Sequence, residues 1–143
     1  MDQFVCVRLV QANTLDLARF QFDFDLTFAA FLMNADLTIY GRFGSRSDRK
    51  DAMRDMTMEG FRKALAAALD LHKSYPGNKA ALAGKIGPEV RFKTPIEYPS
   101  LQGKYKTTLD YEGKVVQSCV HCHQVRDAEF VLLRNDRKPI PDE

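Results

Sequence analysis

Near the C-terminal end, Cys119-Val120-His121-Cys122-His123 places two thiols and two imidazoles within five residues. In the form Cys-x-x-Cys-His this is the spacing of covalent haem attachment, in which both thiols add to vinyl groups and the following imidazole, His123, binds iron from one side. The separation of the thiols suits one helical turn against a porphyrin edge. Iron held in this way needs a second axial ligand or an open position. His72 is one candidate; its blander role is a partly buried histidine bonded to a carbonyl. Met53, Met56 and Met58 form a cluster that could reach a ligand position or fill core gaps. His121 is too close to His123 in the chain to serve the same iron.

Two other chemistries use the same residues. A redox dithiol would have the Cys119 thiolate stabilised by a helix N-terminus and a neighbouring imidazole, with Cys122 as the resolving thiol. Zinc would take Cys119, Cys122 and a histidine, and a fourth ligand from His72 or Cys6. The remaining alternative is that the residues are simply packed. Cys6, inside an apolar run, reads as a small core residue.

These residues must be carried by secondary structure. Phe4 to Val10 is apolar on both alternating faces except at Arg8, which predicts a strand covered from both sides. Leu15 to Phe20 is a short helical candidate behind the caps Asn13 and Thr14. Two β-rich runs, Leu26 to Met33 and Leu37 to Phe43, flank Asn34-Ala35-Asp36 and predict a hairpin. Asp23 and Asp25, with Asp16 upstream, are candidates for a metal or general-acid site, but they alternate with Phe22, Phe24 and Leu26, as outward carboxylates do on a strand edge, and that is the preferred reading. Gly41 to Arg46 lacks the strand-to-helix pattern of a phosphate loop and is a weak anion-site candidate.

Residues 45–55 read as a charged, solvated loop. Thr57 caps a helix whose face is Phe61, Ala64, Leu65, Ala68 and Leu69, with His72 continuing the stripe, and Tyr75-Pro76-Gly77 stops it. Beyond Gly84, prolines and glycines predict an extended connector over Ile86 to Leu109, anchored by Tyr98 and Tyr105. Tyr111 to Val116 reads as a short strand, and Cys119 to Leu133 as helical. The organisation is therefore a first unit over residues 1–84 and, over 85–143, a connector and Cys-x-x-Cys-His segment packed on it.

Composition bounds the rest. A chain of 143 residues, 45% hydrophobic and 28% charged, has room for one packed domain. A net charge of +2 with scattered basic residues gives no nucleic-acid footprint. No apolar run approaches the roughly 18 residues of a membrane helix.

The hairpin Leu26 to Asp36 with Thr38 to Arg42 resembles the second half of thioredoxin-like domains, and Phe4 to Val10 looks like the strand before it. The resemblance covers roughly residues 4–75. The whole is similar to bacterial thioredoxin-family proteins in which such a domain precedes a Cys-x-x-Cys-His segment. It implies an α/β fold with a thioredoxin-like mixed sheet and flanking helices, lacking the first strand and helix, plus an irregular C-terminal extension. The family's redox dithiol would precede Phe4, and its cis-proline position is occupied by Asp25 or Leu26, so the family's usual thiol–disulfide route is not expected.

The expected function is a thioredoxin-like redox protein carrying haem c for electron transfer or redox sensing with a partner protein. The alternatives are a non-catalytic interaction module with a structural or zinc-binding cysteine pair, or a dithiol oxidoreductase. The incomplete sheet leads us to expect an upstream segment or a homodimer covering its apolar face. Resemblance to c-type cytochromes implies a periplasmic or otherwise extracytoplasmic site, although Met1 to Val10 does not read as an export leader.

Overall fold

The computed structural model describes residues 3–24, 28–44 and 56–140. The architecture is mixed α/β, with two antiparallel strands and three helices among these residues. Strand β1 is Ala30–Met33 and β2 is Ile39–Phe43. They pair with Ala30 opposite Phe43 and Leu32 opposite Gly41, and the register shifts between Leu32 and Met33. The hairpin is thus as expected, with shorter strands and a longer loop. Asn34 shapes that loop, because its Oδ1 accepts the amides of Asp36 at 3.1 Å and Thr38 at 3.2 Å. Residues 25–27, which hold Asp25 and the start of the expected first strand, lie outside the described residues, as do the 45–55 loop and Met53.

Helix α1 is Met58–Lys73, capped by Thr57, whose hydroxyl accepts from the Gly60 amide at 3.0 Å. Its apolar stripe meets the hairpin: Ala68 is buried with Leu32 and Tyr40, and Ala64, Leu65 and Leu71 pack around them. The chain turns at Tyr75-Pro76 and forms α2, Lys79–Leu82, which seats Leu82 in the same cluster. Helix α3 is Cys122–Asn135. No helix among the described residues is long and apolar enough to cross a membrane.

A second cluster is built from the two ends of the chain. Ala12, Leu15, Leu17 and Phe24 pack with Tyr98, Leu101, Val120, Val125 and Ala128. Residues near the N-terminus therefore touch α3 and the connector directly. The connector is irregular, as expected, with a 3-10 turn at Pro95–Glu97, and Tyr98 and Leu101 form part of the core. Phe31 of β1 contacts Phe20 at 5.1 Å and Phe22 at 5.7 Å, rings that pack against this second cluster.

Three expected elements are corrected. Phe4 to Val10 forms no strand, and Val5 and Val7 are 93% and 88% exposed. A strand apolar on both faces needs neighbours and covering layers, which the described residues do not supply. Leu15 to Phe20 is a turn, not a helix. Asp16 Oδ1 captures the amides of Ala18 and Arg19, and the Leu17 amide bonds to Lys93 O at 2.9 Å. Tyr111 to Val116 is likewise no strand: Asp110 Oδ1 accepts from the Gly113 amide at 2.9 Å, and a 3-10 turn follows at Val115–Ser118.

Candidate functional site

The Cys-x-x-Cys-His segment lies where the 3-10 turn at Val115–Ser118 hands over to α3. Cys119 is extended, at φ −93° and ψ 131°, and is 8% exposed. Its thiol donates to Val115 O at 3.1 Å. Val120 is fully buried; its carbonyl accepts the Ala12 amide at 2.9 Å, and its own amide donates to Asn13 Oδ1 at 2.7 Å.

His121 is the N-cap residue. Its amide donates to Gln124 Oε1 at 2.8 Å, the side-chain return bond of a capping box. Gln124 Nε2 in turn donates to the Tyr105 hydroxyl. Cys122 opens α3 and is half-buried, and His123 follows on the exposed first turn. Val125 and Ala128, both buried, fasten the helix to the core.

The helix start falls later than the sequence predicts, and this changes which thiol it serves. Cys122, not Cys119, occupies the first turn, where a helix dipole favours negative charge. Burial nevertheless pushes the Cys122 thiol above its ordinary value. Cys119 lies ahead of the helix, with its thiol on a backbone carbonyl. Both cysteines are free, with no disulfide between them.

The other candidate ligands lie elsewhere. His72, in the last turn of α1, is exposed rather than partly buried, and its Nδ1 lies 2.7 Å from the hydroxyl of Tyr40, a member of the hairpin cluster, rather than on a carbonyl. It is not brought together with His123. Met58 is 81% exposed at the start of α1, and Cys6 is exposed in the N-terminal segment. Among the described residues, no group of three or more His, Cys, Asp or Glu side chains is placed to hold a metal ion.

The donor set nevertheless fits haem c in kind. Two unbridged thiols flank one helix start, and an imidazole directly follows the second. Attachment at Cys119 requires its thiol to leave Val115 O.

Asn13 and Gln124 have site roles that the sequence reading missed. Asn13 was expected to cap a helix; it is instead wholly buried. The signal for Gln124 was available in its position three residues after His121, the capping-box offset. The signal for Asn13 was weak: a polar residue among the apolar neighbours Ala12 and Leu15. Comparison with protein-family models, curated proteins and solved structures found no match to this chain.

Proposed function

We propose that this chain is a redox protein that carries haem c on Cys119, Cys122 and His123 and serves electron transfer or redox sensing. One observation carries the reading: two unbridged thiols at a helix start, with the imidazole of His123 beside them on an exposed first turn. When bound, the haem supplies one-electron chemistry at iron. The chain's own part is to carry Cys119 in extended backbone just before the helix and Cys122 and His123 on its first turn, and to anchor the segment through Val120 and Val125.

Thioether formation needs no oxidant. At each site attachment would exchange the S–H bond for an S–C bond at a vinyl carbon, with the hydrogen passing to the other vinyl carbon. The thioredoxin-like part of the proposal is supported by the order β1, β2, α1 over residues 30–73, the later part of the order that the resemblance implies; its earlier strand, Phe4 to Val10, does not form. A periplasmic or otherwise extracytoplasmic setting and a redox partner protein belong to the same proposal.

The test is expression with a haem-maturation system. Colour that survives denaturation and acid extraction is expected, together with loss of the native iron spectrum in His123→Ala. A colourless protein under those conditions would sink the proposal.

A second reading is favoured by the burial of Cys119 and its bond to Val115 O. In it the pair is structural and the chain is an interaction module. That reading predicts that Cys119→Ser lowers stability and that the protein never takes up haem. Zinc in the purified protein, removed by a chelator with loss of fold, would identify the metal-binding form of this module.

A further inference from the structure

Asn13 makes three side-chain hydrogen bonds in a fully buried setting. Nδ2 donates to Lys106 O at 2.8 Å and to Ser118 O at 2.8 Å, and Oδ1 accepts from the Val120 amide at 2.7 Å. Two of these partners bracket Cys119. Ser118 O belongs to the peptide unit before it, and the Val120 amide to the unit after it. One planar amide therefore holds both backbone torsions of Cys119, and its Cα–Cβ direction with them. The Ala12 amide adds a bond to Val120 O at 2.9 Å.

On the far side, the Tyr105 hydroxyl meets Gln124, whose Oε1 takes the His121 amide. Tyr105 adjoins Lys106, so these bonds form a ring around residues 118–124. Within that ring the Cys119 thiol faces inward to Val115 O, while Cys122 is half-buried at the helix start.

We propose that Asn13 is a positioning residue for Cys119: it hides this thiol, so that Cys122 is the first of the pair to react with an electrophile. On the reading of the pair as attachment thiols, the same order holds for the two vinyl additions, with Cys119 following once the Asn13 bonds open.

The test is alkylation of the full-length, haem-free chain with iodoacetamide, with each cysteine quantified by peptide mass spectrometry. In the wild type, Cys122 is expected to label about tenfold or more faster than Cys119, since opening must break two or three hydrogen bonds of the buried Asn13 side chain. Asn13→Ala is expected to raise the Cys119 rate by about tenfold and to leave Cys122 unchanged. Leu101→Ala, a cavity in the same cluster, serves as the control for general loosening and should not change the ratio of the two rates. Equal labelling in the wild type, or a ratio untouched by Asn13→Ala, would overturn the inference.

If Asn13→Ala does not fold, the wild-type ratio and hydrogen exchange decide. A Val120 amide that exchanges as fast as an exposed loop amide also overturns the inference. Neither measurement involves haem, so a chain that never takes up haem leaves this inference standing, and a flat labelling ratio leaves the haem proposal standing.

Discussion

The hydroxyl of Tyr40 lies 2.7 Å from Nδ1 of His72, joining β2 to the last turn of α1. Tyr40 is 5% exposed, so its hydroxyl would otherwise be a buried polar group with one partner fewer. This bond gives His72 a structural duty apart from the cysteine pair.

His72→Ala is accordingly expected to lower unfolding free energy by about 1 kcal/mol in urea titrations, the net value of one such bond. The same variant, loaded with haem, should keep the wild-type absorbance spectrum. A changed iron spectrum would instead put His72 at the metal.

Asp36 sits in the hairpin loop and accepts from Thr38, Tyr75 and Lys79, with Lys79 Nζ at 2.9 Å. The Thr38 hydroxyl, then Tyr75 and Lys79, hold its carboxyl far below the ordinary value of 3.8. The folded-state value is lowered, so the stabilisation is fully present above pH 3.8 and fades as pH falls through the folded value. Asp36→Asn should therefore lower the urea midpoint at pH 7. That difference should shrink on acidification below pH 3.8. A difference independent of pH would contradict the ionic origin.

Glu129, on α3, accepts from the Tyr98 hydroxyl at 3.1 Å. Burial pushes its carboxyl above the ordinary value of 4.5, and the charge of Asp23 adds to the rise, against the opposing Tyr98 bond. The sign is opposite to that of Asp36: the folded state holds the proton more tightly, so stability falls as pH rises through the folded value. Glu129→Gln removes the ionisation. It should raise the thermal midpoint at pH 7, with the gain disappearing below pH 4.5. Thermal melts at both pH values check this.

Gly44 ends the hairpin at φ +113°, and a Cβ there would lie 2.1 Å from the backbone oxygen of Phe28. That oxygen is main chain and cannot swing aside. Gly44→Ala is expected to cost about 2 kcal/mol or more, measured by denaturant unfolding. A variant as stable as the wild type would mean that the turn rebuilds itself.

Local order was legible wherever one element meets one partner. Thr57, the stripe through Ala64, Leu65 and Ala68, and the stop at Tyr75 and Pro76 define α1, because a helix carries its own hydrogen bonds and its buried face repeats every turn. The hairpin was legible for a similar reason, since Asn34 closes its loop locally. Phe4 to Val10 was misread because alternation states only what a segment would bury, not whether a neighbour exists to bury it. At Leu15 to Phe20, a turn closed by Asp16 won over a weak helical pattern.

For the candidate site, the sequence by itself determined the reactive types and their spacing: two thiols, an imidazole directly after the second, and a helix beginning nearby. Those are properties of neighbours along the chain. The tertiary structure decided which thiol is hidden and which opens the helix, because Ala12 and Asn13, remote in sequence, bond to the backbone around Cys119. It also decided that His72 belongs to the hairpin. Long-range hydrogen bonds depend on which segments of the folded chain meet, and no local period encodes that meeting.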